Sequence, residues 1–307
     1  MGLLIDGQWH QDDYRRDAQG GFVRDDTIFH GQVRSEGPFF PEAGRYHLYV
    51  GLACPWAHRT LIMRALRGLE EAIPFTAVAP WMGPDGWFFS EIEPDPVLGA
   101  RFLREVYTAA VPRYTGRVTV PLLWDRRTGT IVNNESRQIM RMLDHDFAPL
   151  ATREGDYCPP GLRDRVEETL DAIYQPINNG VYRAGFAFTQ EAHEAAIGEL
   201  FAALEHWEGV LAGQRFLCGD RLTEADIALF TTLFRFDPVY HVHFKCNRKR
   251  LVDMPYLCRF AREIYGMPGV AETCRLDHIK QHYYRSHPFL NPRGLVPVGP
   301  DRDFRDC

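Results

Sequence analysis

The chain has 307 residues, enough for about two domains with sizeable cores. Hydrophobic residues make up 45% and charged residues 25%, an ordinary globular balance that argues against disorder and against a membrane protein. Thirty-five basic and 41 acidic side chains leave a net charge of −6 with no long run of one sign, so nucleic acid is not an expected partner.

The amino terminus carries only a three-residue apolar run, Leu3-Leu4-Ile5, and Asp6 stands where a myristoylation signal wants Ser or Thr. The longest charge-free apolar stretches, such as 227–234, are too short to span a bilayer. The expectation is a cytoplasmic protein with no membrane partner. Residues 1–44, rich in Asp, Gly, Pro and Arg, read as an N-terminal arm. Tyr46-His47-Leu48-Tyr49-Val50 is the first strong element, an aromatic and β-branched run suited to a buried strand that ends at Gly51. Beyond Cys54, the spacing of Leu61, Ile62, Ala65, Leu66 and Leu69 predicts a helix over 56–69 with Pro55 in its first turn. A second apolar strand follows over 73–79. Strand, helix and strand in this space make a βαβ unit with Cys54 at its first turn.

Residues 80–117, dense at first in Trp, Pro, Gly and Asp, read as an insertion with helix around 100–110. Strands are predicted over 118–124 and 130–132. Pro121 inside the former implies an edge, a bulge or a cis bond. Asn134-Glu135-Ser136 opens a further helix. From about 160 the periodicity is helical almost throughout, with helices over 162–173, 191–211 and 224–234. Thr223 is an N-cap with Asp226 three residues on, a variant of the capping box. The expected organisation is an α/β domain over 45–150, an all-helical domain over 151–290, and a C-terminal arm over 291–307.

Cys54 sits at a helix start, where unpaired backbone N–H groups and the helix dipole favour the thiolate. The competing reading, a small buried apolar residue, suits the other six cysteines better, because none of them has a helix-start context. Seven is an odd number with no pair three residues apart, so neither a disulfide framework nor a zinc ribbon is expected. Residue 57 is Ala. With no resolving thiol in the same turn, an external thiol has to complete any cycle through Cys54.

Cys54-Pro55-Trp56-Ala57 after a strand, Val120-Pro121 entering a later strand and Glu135-Ser136 at the next helix start resemble a glutathione transferase with its thioredoxin-like N-terminal domain. Further matches narrow the resemblance to the Xi class, the glutathionyl-hydroquinone reductases. They include Gly86-Trp87, the run from Tyr114 to Pro121, Asn178-Asn179-Gly180-Val181-Tyr182-Arg183, Arg235-Phe236-Asp237-Pro238-Val239-Tyr240 and His278-Ile279-Lys280-Gln281-His282-Tyr283-Tyr284. The resemblance implies a thioredoxin-like α/β domain followed by an all-α domain, glutathione as cosubstrate, and a homodimer. It makes Cys54 the nucleophile and places glutathione on Trp87, Arg117, Val118, Thr119, Val120, Glu135 and Ser136. A cis Pro121 would leave the Val120 backbone able to pair with the tripeptide as an added strand. Glu135 would take the glutathione ammonium, Ser136 and the helix-start N–H groups its γ-glutamyl carboxylate, and Arg117 its glycyl carboxylate. Tyr182 becomes the proton donor or acceptor, and Tyr240 and Tyr283 hydrogen-bond near the sulfur and hold a quinol ring. Without the resemblance, all three tyrosines would read as ordinary packing.

Two other signals are set aside. His241, His243 and Cys246 have ligand-like spacing, and His278 and His282 lie one turn apart, but no further acid or cysteine falls into register, so no metal is expected. The implied activity is reduction of glutathionyl-hydroquinones through a mixed disulfide between Cys54 and glutathione. Its rivals are an Omega-like thioltransferase or dehydroascorbate reductase, and a non-catalytic glutathione-binding regulatory protein.

Overall fold

The computed structural model describes residues 2–300 and 304–306. It divides into two compact units, one of Met1–Asp13, Asp25–Gly155 and Glu272–Ser286, the other of Tyr14–Arg24, Asp156–Ala271 and His287–Cys307. Strands and helices are numbered in chain order.

The first unit is built on a four-stranded sheet of Phe75–Ala77 (β6), Tyr46–Val50 (β5), Leu122–Asp125 (β8) and Thr130–Asn133 (β9), in that order across the sheet. β6 runs parallel to β5, whereas β8 is antiparallel to both β5 and β9. Every residue of β5 is buried, as its unbroken apolar and aromatic run requires of an interior strand. Pro55–Leu66 (α1) makes the crossover from β5 to β6, and Ser136–Arg141 (α3) packs against it. The expected βαβ unit is therefore present, with α1 ending a few residues early. Gly68, at φ 62°, turns the chain out of the helix, and the Leu69 N–H closes back on the Arg64 carbonyl at 2.9 Å. The strand expected over 118–124 begins only at Leu122, because Pro121 has no N–H to add to a ladder.

The segment read as an arm carries its own structure. Gly2–Ile5 (β1) and Gln8–Gln11 (β2) form a hairpin, and β1 also pairs with Gly116–Arg117 (β7). The insertion holds one helix, Leu103–Ala110 (α2), and is fastened by the Met82 N–H donating to the Ser286 hydroxyl at the end of Leu276–Ser286 (α9).

The second unit is helical: Arg163–Ile173 (α4), Gly180–Gly185 (α5), Gln190–Gly213 (α6), Glu224–Leu233 (α7) and Pro255–Tyr265 (α8). Wide π-type turns at Tyr174–Asn178 and Phe236–Tyr240 lead into α5 and out of α7. A short hairpin of Arg15–Arg16 (β3) and Phe22–Val23 (β4) belongs to this unit. Among the described residues no helix is long and apolar enough to cross a membrane.

All of α7 is buried, including its first-turn acids. The Asp226 carboxylate receives the Thr223 N–H, the Thr223 hydroxyl and the Leu217 N–H, each at 2.7 Å. The capping reading of Thr223 and Asp226 thus holds, with Asp in place of Glu. Burial pushes Asp226 up to about 6. A carboxyl raised by folding binds its proton more tightly in the native state, so its contribution to stability is greatest below about pH 4 and is lost as pH rises through about 6. Asp226→Ala leaves buried donors on Thr223 and Leu217 without an acceptor and removes the cap. A loss of about 2–5 kcal/mol in urea unfolding is expected, and a loss below 1 kcal/mol would mean that the cap contributes little.

Candidate active site

Cys54 occupies the N-cap position of α1, in extended backbone at φ −77° and ψ 123°, with Pro55 at the first helical position and no acid in the first turn. Its N–H closes a tight turn onto the Gly51 carbonyl at 2.9 Å, and its own carbonyl receives the His58 N–H at 2.9 Å. Gly51 lets two segments meet: a Cβ there would lie 3.2 Å from a Val120 methyl and 3.6 Å from the Cys54 Cβ. The thiol, partly exposed, lies 3.5 Å from the Val120 carbonyl oxygen. The Val120–Pro121 bond is cis. Sulfur, helix start and the loop before β8 are thereby assembled at the C-terminal end of β5.

That loop is held by a residue the sequence reading did not single out. Tyr107 of α2 donates its hydroxyl to the Thr119 carbonyl at 2.8 Å, while its oxygen receives the Thr119 N–H and the Asn134 side-chain amide, each at 3.2 Å. One fully enclosed phenol, its ionisation opposed by burial, ties the loop to the start of α3. At that start the Glu135 carboxylate receives the Arg137 N–H at 3.1 Å, the Ser136 hydroxyl at 3.4 Å and, on its other oxygen, the Thr27 hydroxyl at 3.3 Å. Arg117 is drawn toward the N-terminal segment. Its guanidinium reaches Asp25 at 3.1 Å, Asp12 at 2.8 Å and the Asp13 carbonyl at 2.9 Å. Val118 is buried beside it. Trp87 stacks on His282 of α9, with centroids 4.8 Å apart and planes at 18°, and Tyr283 next to it is buried. Cys54, Trp87, Arg117, Val118, Thr119, Val120, Glu135, Ser136 and Tyr283 are thus all borne by the first unit.

Tyr182 and Tyr240 belong to the second unit, where they meet. Tyr182, on α5, has its ring 6.0 Å from that of Tyr240 at 61°, and both pack on Phe244, with which Tyr240 is stacked at 17°. A Cβ at Gly185 would collide with the Phe244 ring, so glycine is needed for this packing. Above Tyr182 stands a cation that the sequence reading also missed: the Arg24 guanidinium carbon is 4.9 Å from the ring centroid. No local pattern announces Arg24 or Tyr107, since each acts on a segment distant in sequence.

Two of the histidines set aside as ligands, His243 and His282, make other contacts. His243 Nε2 lies 3.1 Å from His287 Nδ1, with burial pulling His243 down to about 4, and His282 makes the stack on Trp87. Burial pushes the Cys218 and Cys246 thiols up, away from reactivity.

Residues 53–146 match the glutathione S-transferase N-terminal domain and residues 190–257 the corresponding C-terminal domain. The chain is 51% identical to the glutathionyl-hydroquinone reductase PcpF of Sphingobium chlorophenolicum, over 98% of this chain and 96% of that protein. A solved Xi-class structure from Natrialba magadii superposes with a TM-score of 0.93 at 50% identity, covering 99% of this chain and 94% of that one. The chain belongs to the Xi class of glutathione transferases. Within that class it is also 48% identical to the glutathionyl-hydroquinone reductase YqjG of Escherichia coli, over 99% of this chain and 97% of YqjG. The glutathione-bound structure of YqjG superposes with a TM-score of 0.91 at 46% identity, covering 99% of this chain and 97% of that one. This Xi-class chain therefore has the glutathione transferase fold, a thioredoxin-like unit and a helical unit, as its motifs implied.

Proposed function

We propose that this protein is a glutathionyl-hydroquinone reductase working through a mixed disulfide between Cys54 and glutathione. The observation that carries the reading is a thiol at the start of α1, 3.5 Å from the Val120 carbonyl, in a chain about half identical over nearly its whole length to two reductases of that name.

In the first step the Cys54 thiolate attacks the glutathionyl sulfur. The sulfur–carbon bond breaks, its electron pair passes to the ring carbon, and Tyr182 delivers a proton there, releasing hydroquinone. A second glutathione, as thiolate, then attacks the glutathione sulfur of the mixed disulfide. Oxidised glutathione leaves, Cys54 returns as thiolate, and Tyr182 regains its proton from solvent. The helix-start N–H groups favour the thiolate in both steps.

Glutathione is placed with its cysteinyl backbone against Val120 and its γ-glutamyl end at Glu135 and Ser136, beside Val118, Thr119 and Trp87. Arg117 serves the glycyl carboxylate by exchanging it for one of the carboxylates it now holds, Asp12 or Asp25. Tyr240 and Tyr283 hold the quinol ring and hydrogen-bond near the sulfur. Cytoplasmic location and a homodimer complete the proposal, the dimer resting on the Xi-class likeness; light scattering tests it.

The deciding assay compares a glutathionyl-hydroquinone, a mixed disulfide and an electrophile for conjugation, each with glutathione. Quinol release is expected to dominate; preference for the mixed disulfide would point to a thioltransferase. Without free glutathione, the reaction is expected to leave one glutathione on Cys54, seen by peptide mass spectrometry. An internal disulfide from Cys54 would refute the monothiol scheme.

A further inference from the structure

We infer that Arg24 is a positioning residue for Tyr182, its fixed charge stabilising the negative charge that grows on the phenol oxygen as the proton leaves. The inference deepens the proposed function and rests on Tyr182 being the acid.

Arginine keeps its charge at any working pH, and its guanidinium is attracted to an aromatic face. Arg24 Cζ is 4.9 Å from the Tyr182 centroid and 5.4 Å from that of Phe22. Its Nε–H donates to Asn179 Oδ1 at 2.9 Å. Asn179 also starts the turn that carries the phenol, its carbonyl receiving the Tyr182 N–H at 3.0 Å and the Arg183 N–H at 2.9 Å. One residue therefore fixes both the guanidinium and the helix bearing the ring.

The cation comes from far up the chain, and the β3–β4 hairpin delivers it. Tyr14 stacks on Phe186 at 4.1 Å and 21°, and Phe22 meets the same ring edge-on at 5.5 Å. The Phe188 N–H donates to the Gly20 carbonyl at 3.0 Å, and the Thr189 hydroxyl to the Gln19 carbonyl at 3.1 Å. This docking is more than a passive arm requires. Its consequence is a half-buried charge over a phenol that is 9% exposed, where solvent screening is weaker than at the open surface.

The test uses Arg24→Met, Arg24→Gln and Arg24→Lys in the full chain, with a glutathionyl-hydroquinone and a mixed disulfide as parallel substrates. Arg24→Gln keeps a donor for Asn179 but no charge, and Arg24→Lys keeps the charge. Met and Gln are expected to lower kcat for quinol release about 3- to 30-fold, with KM changed less than about 2-fold and the mixed disulfide spared. Lys is expected to stay within about 3-fold of the parent. In a Tyr182→Phe background, Arg24→Met should change the rate less than about 2-fold, because the group it acts on is gone. Full quinol-releasing kcat in Arg24→Gln, equal loss on both substrates, or a loss that adds to that of Tyr182→Phe would overturn the inference. If Arg24→Met does not fold, the contrast between Gln and Lys decides alone. A Tyr182→Phe enzyme releasing quinol at full rate would instead remove the acid assignment itself, a result read before any Arg24 variant is made.

Discussion

Cys54→Ser is expected to reduce turnover of a glutathionyl-hydroquinone to the uncatalysed background while leaving glutathione binding within about 3-fold. A serine hydroxyl is not ionised near neutral pH and forms no mixed disulfide, so both steps are blocked at once. Binding should survive because the groups assigned to glutathione, at Val120, Glu135 and Ser136, are held by contacts that do not involve the sulfur: Tyr107 on the loop and the α3 start on the carboxylate. Cys274 is the other partly exposed thiol among the described residues, with its sulfur 3.7 Å from His58 Nε2. Any adduct therefore has to be mapped to a peptide. Turnover in Cys54→Ser within about 10-fold of the parent, or an adduct on Cys274 alone, would remove Cys54 from the mechanism.

Tyr182→Phe is expected to slow quinol release by about 10² to 10⁴, the usual value of a positioned proton donor, and to spare a mixed-disulfide substrate whose leaving thiolate needs no proton on carbon. Its ring packing on Tyr240 and Phe244 is kept by phenylalanine, so folding should be unaffected. Tyr240→Phe and Tyr283→Phe act differently. In the proposed roles each removes a hydrogen bond to the thiolate, worth about 1.5–3 kcal/mol, so Cys54 alkylation is expected to move to higher pH and turnover of both substrates to fall. Equal loss on the two substrates in Tyr182→Phe would make its role structural.

Much of this was legible in local pattern. The run Tyr46–Val50 reads as an interior strand because it is dominated by aromatic and aliphatic side chains, with His47 its one polar residue, and Cys54-Pro55 reads as a helix start because proline suits the first helical position. Pro121 marked an irregularity, and the structure resolved its three possible meanings to a cis bond. The first 44 residues were harder. Their hairpins lack periodicity, since β1, β3 and β4 find their partners in segments that composition does not announce, and so they read as an arm.

By itself, then, the chain's sequence determined the βαβ unit around Cys54, the long helices that follow it, the Thr223–Asp226 cap and the family, all of which depend on residues close together or on motifs in fixed order. The tertiary structure alone decided that Tyr107 pins the Val120 loop, that Arg117 faces Asp12 and Asp25, that α9 groups with the sheet to set His282 on Trp87, and that Arg24 stands over Tyr182. The physical reason is range. Periodicity and capping are set by hydrogen bonds and burial within a few turns, whereas a phenol or a guanidinium finds its partner only after the chain has closed loops of many residues, and no local pattern encodes which one it meets.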